Sequence, residues 1–146
     1  MASERLLVID ADLATRIATY LRERGRNARS AAELGLAGHE DPDLLRALAV
    51  LGEACTLITG DDAMPAEHGE VIVDTGATIA TIHPEHPADV LEHYWRVDVV
   101  QRWAHAIQDQ RPATVRRYSL SGSQVWRPRR RHLRMIRTHG WTPWQP

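Results

Sequence analysis

The residues best suited to chemistry in this chain are carboxylates placed where strands end. Asp10 and Asp12 follow the apolar run Leu6-Leu7-Val8-Ile9, and Asp61 and Asp62 follow the run from Cys55 to Thr59. Glu33 closes a weaker strand near Ala28 to Ala32, and Asp41 precedes the apolar residues Leu44, Leu45, Leu48 and Leu51. A continuous apolar run suits a strand buried on both faces of a parallel sheet. If the first and third strands are parallel neighbours, their carboxyl ends share one edge, where ligands of open α/β sheets collect. Carboxylates gathered at one place repel each other, and a hard cation such as Mg2+ or Mn2+ relieves that repulsion through oxygen ligands. Such an ion activates water and neutralises charge building on a phosphate, so the pattern points to phosphodiester hydrolysis.

Each acid also has a plain structural reading. Asp41 stands just before Pro42, as an N-cap would before a helix with proline in its first position. Asp12 could cap the first helix, with Arg16 one turn on as its partner. Asp61 and Asp62 could be ordinary loop acids. Asp10, which directly ends a buried strand, is the hardest to explain without a ligand.

The elements that must position these acids are legible in outline. Leu13, Ile17, Tyr20 and Leu21 repeat at helical spacing and Gly25 stops them. A second helix runs from Asp41 to Gly52, and Val71-Ile72-Val73 and Thr78 to Ile82 read as two further strands. From Ala88 to Gln108 the apolar positions Val90, Tyr94, Val97, Val100, Trp103, Ala104 and Ile107 form a helical stripe. Val115 to Tyr118 and Gln124 to Trp126 flank Leu120-Ser121-Gly122-Ser123 as a hairpin would. The stretch from Arg127 to Pro146 shows no firm period. Strand and helix alternate as in an open α/β sheet.

A chain of 146 residues corresponds to one domain able to bury a core. There is no run of 18 apolar residues and no signal-peptide pattern, which predicts a cytoplasmic protein with no membrane span. The single cysteine, Cys55, cannot form an internal disulfide. His83, His86 and His93 lack the spacing of a standard zinc site and read as solvated or locally bonded side chains. Trp95 and Trp103, eight apart on the long helix, read as core residues or as packing for a homodimer.

Charge is segregated. All 19 acids lie in the first 110 residues, with 9 of the 18 arginines, while residues 111–146 hold the other 9 arginines and no acid. The basic segment includes Arg116, Arg117, Arg127, Arg129, Arg130 and Arg131, interleaved with Tyr118, Trp126 and Trp141. Arginine pairs bidentately with phosphate and aromatic rings stack on unpaired bases, so RNA is one expected partner. A segment folded back on the acidic body, or a contact surface for an acidic protein, fits the same charges.

Three stretches in series resemble small PIN-like proteins. These are Leu6-Leu7-Val8-Ile9-Asp10-Ala11-Asp12-Leu13, then Glu33-Leu34-Gly35-Leu36-Ala37-Gly38-His39-Glu40-Asp41, then Leu57-Ile58-Thr59-Gly60-Asp61. The match covers roughly the first 80 residues. It implies a three-layer α/β/α PIN-like fold with a mostly parallel central sheet over residues 1–110, followed by a basic hairpin and tail over 111–146. It also implies a Mg2+-dependent (or Mn2+-dependent) endoribonuclease, of the kind found as the toxin of VapC-type toxin–antitoxin pairs, with a cognate antitoxin as partner. Carried over by position, Asp10, Asp41 and Asp61 are the metal-site carboxylates, Glu33 is a further catalytic acid, and Asp12 and Asp62 assist. The chain departs from the pattern after Asp61, where Asp62, Ala63 and Met64 replace the usual final acid.

Two other readings compete. Asp61-Asp62-Ala63-Met64-Pro65 also resembles the phosphoacceptor segment of phospho-receiver domains, with Asp61 as acceptor, although the chain contains no lysine to sit beside an acyl phosphate. A non-catalytic module that binds RNA or protein is the third.

Overall fold

The computed structural model describes residues 4–13, 15–51, 53–83, 92–141 and 143–144, with the backbone alone for 92–95. The first strand, β1 (Leu6–Ile9), is buried at every position, as its unbroken apolar run requires. It leads to α1 (Arg16–Glu23), whose Ile17, Ala18 and Leu21 are buried. Next come β2 (Ala28–Ser30), a single 3-10 turn at Ala32–Leu34, α2 (Asp41–Ala49) and β3 (Cys55–Thr59). Two short helices, α3 (Met64–Glu67) and α4 (Gly69–Thr75), precede β4 (Ile79–Ile82). The long α5 (Glu92–Gln108), the hairpin β5 (Val115–Tyr118) and β6 (Ser123–Trp126), and α6 (Arg130–His139) complete the chain.

One six-stranded sheet has the order β2-β1-β3-β4-β5-β6. All its pairings are parallel except that of β5 with β6. Strand residues alternate between two cores, one on each face. Leu7, Ile9, Ile58 and Ala80 pack with Ile17, Leu21, Val99, Val100 and Ile107 of α1 and α5. Leu6, Val8, Leu57 and Ile79 pack with Leu44, Leu45, Leu48, Met64 and Ile72 of α2, α3 and α4. The architecture is therefore a three-layer α/β/α fold, as expected. Among the described residues no helix is long and apolar enough to cross a membrane.

The hairpin after residue 111 is part of this sheet. Val115 to Tyr118 pair in register with Ile79 to Ile82, and the Tyr118 hydroxyl donates to Gln110 Oε1 at 2.9 Å in the buried interior. Trp103 belongs to the core, its Nε1 donating to Ser119 O at 2.7 Å. The expected stripe of α5 holds at Val97, Val100, Trp103, Ala104 and Ile107, while Val90, His86 and the side chains of Tyr94, Trp95 and His93 lie outside the described residues.

Two local expectations are corrected. Val71-Ile72-Val73 is not a strand but the middle of α4. Adjacent parallel strands cannot be joined by a tight turn, so the β3-to-β4 connection must cross over. Burial of Ile72 in the core beneath that crossover outweighs the β preference of three branched side chains. The stretch beyond Arg127 is not aperiodic either, since it contains α6. Leu133 of α6 is buried, and a Cβ on Gly69 would lie 3.2 Å from Leu133 Cδ2, so the missing side chain lets α6 sit on the start of α4.

His132 fixes the entry to α6. Its Nδ1 accepts from Trp126 Nε1 at 3.0 Å and from the Arg129 backbone N–H at 3.2 Å. Its ring stacks on Trp141 with centroids 4.9 Å apart. Partial burial, then the positive charges of Arg131 and Arg129, lower its pKa from the usual 6.5. A depressed histidine pKa means the neutral ring stabilises the fold above pH 6.5, and the contribution fades as pH falls below that value toward the folded-state pKa. Acidifying from pH 7.5 to 5 should therefore remove the His132 contribution, which runs opposite in sign to that of any carboxyl group with a raised pKa, and loosen the Trp126–Trp141 environment by near-ultraviolet circular dichroism. His132→Gln should flatten that pH dependence.

Candidate functional site

Strand order reverses between β1 and β3, which both start from the middle of the sheet and lead outward in opposite directions. This is the switch point at which a crevice opens beyond the carboxyl ends. Asp10 continues β1 and hydrogen-bonds across to β3, with its N–H donating to Ile58 O at 2.9 Å. Thr59 Oγ1 donates to Asp10 Oδ2 at 2.8 Å and accepts from the Asp61 N–H at 3.1 Å. One buried hydroxyl thus fastens the two strand-end acids to each other's loops. The Ala11 N–H donates to Asp10 Oδ1 at 2.7 Å, and the Ala63 N–H donates to Asp61 Oδ1 at 3.1 Å.

Asp12 reaches across the same crevice. The Gly60 N–H donates to Asp12 Oδ2 at 3.1 Å and to Oδ1 at 3.3 Å. This approach needs a glycine, because a Cβ at position 60 would stand 3.0 Å from Asp12 Oδ2 and 3.2 Å from the Arg96 guanidinium carbon. Asp12 is therefore not a helix cap. The residue before α1 is Thr15, and no side chain caps that helix. Burial, then the charge of Asp10, raises the pKa of Asp12, while the Gly60 N–H and Arg96 pull it back and Asp61 adds to the rise.

Asp41 arrives from the first turn of α2. It is not the cap of that helix either, because Glu40 holds the cap position and makes no capping bond. The Asp41 carboxyl instead shares a hydrogen bond with Asp61. Burial is the largest cause raising its pKa to about 6, followed by that bond and by the charges of Asp10 and Asp61. His68 Nε2, 3.7 Å from Asp41 Oδ2, opposes the rise when protonated. Two carboxyl groups sharing a proton mark a place with more negative charge than the fold neutralises.

The remaining acids expected at the site lie elsewhere. Glu33 Oε1 accepts from Arg22 Nη1 at 2.7 Å and from the Ser30 N–H at 2.9 Å. The Ser30 N–H, then Arg22, lowers its pKa to about 2, and no cluster carboxylate acts on it. Glu33 thus ties the 3-10 turn to β2 and α1 and does not join the other acids. Asp62 turns toward the hairpin, with Arg117 Nη1 3.3 Å from its Oδ2. Of the basic residues, Arg116 donates to Ser123 Oγ at 3.0 Å and Arg130 to Asp74 Oδ1 at 2.9 Å. Arg127, Arg129 and Arg131 are exposed. Thr59, Arg96 and His68 were not singled out from sequence. Thr59 was visible inside the Thr-x-Asp segment, whereas Arg96 and His68 carry no local signal and become neighbours only through the fold.

Asp10, Asp12, Asp41 and Asp61 present only hard oxygen donors, the set that Mg2+ or Mn2+ selects. Their chemistry fits such an ion. Their spacing is looser than a formed cage, since among the described residues no three Asp, Glu, His or Cys side chains already surround one point. A cleft of about 220 Å³ lined by Leu45, Leu48, Cys55, Thr78 and Pro112 contains none of the four carboxylates. Comparison of the chain with protein-family models, with curated proteins and with solved structures gave no match.

The raised pKa of Asp41 has a definite sign in stability. A carboxyl group with a folded-state pKa near 6 favours the fold when protonated and opposes it when ionised. The Asp41 contribution to stability should therefore fall as pH rises from about 4 through 6. Asp41→Asn should raise the thermal midpoint of metal-free protein at pH 7 by on the order of a few degrees and leave it little changed at pH 4.5.

Proposed function

We propose that the chain is a Mg2+- or Mn2+-dependent endoribonuclease of PIN-like type, with Asp10, Asp41 and Asp61 as metal-site carboxylates and Asp12 assisting. The observation that carries the reading is the meeting of these acids at the β1–β3 switch point, where Thr59 links Asp10 to the Asp61 loop, Gly60 binds Asp12, and burial followed by the adjacent Asp61 raises the pKa of Asp41. The resemblance of the three motif segments supplies the RNA and the toxin–antitoxin setting, with a cognate antitoxin as the binding partner.

A bound divalent ion would supply an activated water and would offset charge on the phosphodiester. The chain's own groups do the rest. Thr59 donates to the Asp10 carboxylate and accepts from the Asp61 backbone N–H, so the two strand-end loops are fixed beside each other before any ion arrives. Asp41, whose pKa is raised to about 6 by burial and the adjacent Asp61, would release its proton to water once a cation offset the charge around it. Arg96 offsets part of the Asp12 charge.

The strand order favours one second reading. The sequence 2-1-3-4-5 is shared with flavodoxin-like doubly wound sheets, and receivers use it too. Against a receiver stand the absence of any lysine and the presence of Asp41, a carboxylate brought in by α2.

Incubation with single-stranded RNA should give cleavage in Mg2+, none in EDTA, and a loss of at least about 100-fold with Asp10→Asn, since even outer-shell changes at metal sites cost 10–100-fold. Cleavage that survives both chelation and the substitution would sink the proposal. Acid-stable but hydroxylamine-labile phosphate on Asp61 after acetyl phosphate treatment would install the receiver reading in its place.

A further inference from the structure

A second polar cleft lies beyond the carboxyl ends of β4 and β5, on the same edge as the acids. It encloses about 250 Å³ and is lined by His83, Arg117, Ser119, Ser121, Ser123 and Gln124. A guanidinium, an imidazole and three hydroxyls face one space, and no acid lines it. Such a set donates hydrogen bonds and positive charge together, which is the recognition chemistry of a phosphodiester oxygen.

We propose that this cleft is a phosphate subsite for single-stranded RNA, and that Arg117 is its anchor. The inference rests on the nuclease reading for the identity of the polyanion, and it adds where the strand beside the cut is held. Arg117 is already oriented. Its guanidinium carbon lies 5.3 Å from the centre of the Trp144 ring, and Trp144 is itself fixed by a hydrogen bond from Nε1 to Asp62 O at 3.4 Å. Its only acidic partner among the described residues is Asp62, through a single 3.3 Å contact with Oδ2. The other oxygen, Asp62 Oδ1, is shut from solvent with no hydrogen bond. A monodentate pair of this kind uses little of a guanidinium's capacity, since the planar fork can serve two acceptors in parallel. A phosphate in the cleft therefore competes with Asp62 for Arg117, and Asp62 acts as an internal occupant that weakens RNA binding.

Asp62 immediately follows Asp61, so the same short loop carries one cluster acid and the group that restrains the subsite. A strand held at Arg117 would pass the acids at the β1–β3 crevice along one edge of the sheet.

The test is a double-mutant cycle on the full chain, read by fluorescence anisotropy with a short labelled single-stranded RNA in EDTA, where no metal-dependent cutting occurs. Arg117→Gln should weaken binding about 10-fold, as for loss of a charged hydrogen bond, and reduce the salt slope by about one. Asp62→Asn should tighten binding several-fold in the wild-type background and have no effect beside Arg117→Gln. An oligomer of the same sequence with an uncharged backbone should bind without regard to Arg117. If Arg117→Gln fails to fold, the comparison of Asp62→Asn with the double variant, which buries no unpaired charge, makes the same measurement. RNA binding unaffected by Arg117, tightening by Asp62→Asn of equal size in both backgrounds, or no RNA binding at all would overturn the subsite. An intact cycle with no Mg2+-dependent cleavage would overturn the nuclease reading and spare the subsite, and cleavage without the coupling would do the reverse.

Discussion

The parallel pairing of β1 with β3 is the constraint on which the site depends. Leu6 to Ile9 lie in register with Cys55 to Ile58, so Asp10 and Thr59 emerge side by side at one edge. Both strands are buried on both faces, and a slip of one residue would carry apolar side chains from one core to the other. Packing in the two cores sets the register, and the Thr59 and Gly60 bonds to Asp10 and Asp12 clasp its end. The chemistry-bearing groups are passengers on a pairing that the cores enforce, and this lets the site carry electrostatic repulsion without loosening the strands beneath it.

That repulsion is distributed unequally. Asp10 and Asp61 receive backbone and hydroxyl donors, Asp12 receives the Gly60 N–H and the nearby Arg96, and at Asp41 burial and the adjacent Asp61 raise the pKa to about 6. A carboxylate in the first turn of a helix ordinarily gains from the helix dipole. At Asp41 that gain is outweighed by burial and by two like charges, because the dipole effect is modest and weakens with exposure while charges within a partly desolvated crevice are screened less.

Sequence revealed the parts of this arrangement that are encoded locally. The unbroken apolar runs of β1 and β3, the Pro42 start of α2 and its leucine spacing each leave a signal within a few residues. Glu33 was misplaced because its partners, Ser30 and Arg22, draw it to the back of its own turn, and the Arg22 contact spans 11 residues of sequence. The α4 segment read as a strand because branched side chains dominate it, whereas its helix is imposed by the crossover between β3 and β4. The α6 segment was hidden by composition, since most of its residues are arginine or histidine and Leu133 is the only buried one. The opening of α2 suggests that Asp41 approaches the cluster from the loop side, and the motif resemblance pairs it with Asp61, but chain spacing alone cannot say how close a helix start comes to the end of the strand that follows it.

The separation of acids and arginines along the sequence resolves into two different uses of positive charge. Arg117, Arg130 and Arg137 turn back onto Asp62, Asp74 and Glu70. The latter two pairs are well exposed, and exposed pairs contribute little to stability. The position of α6 is therefore set by Leu133 against Gly69 and by the Trp126, His132 and Trp141 rings, and its ion pairs select orientation rather than supply most of the holding energy. Arg127, Arg131 and Arg134 are exposed and have no acidic partner among the described residues. A fold that needed its basic segment only to neutralise the acidic body would have little reason to direct these three outward. Their charge forms an exposed basic surface while the β1–β3 edge stays acidic, so the two signs segregated along the sequence remain segregated in the fold.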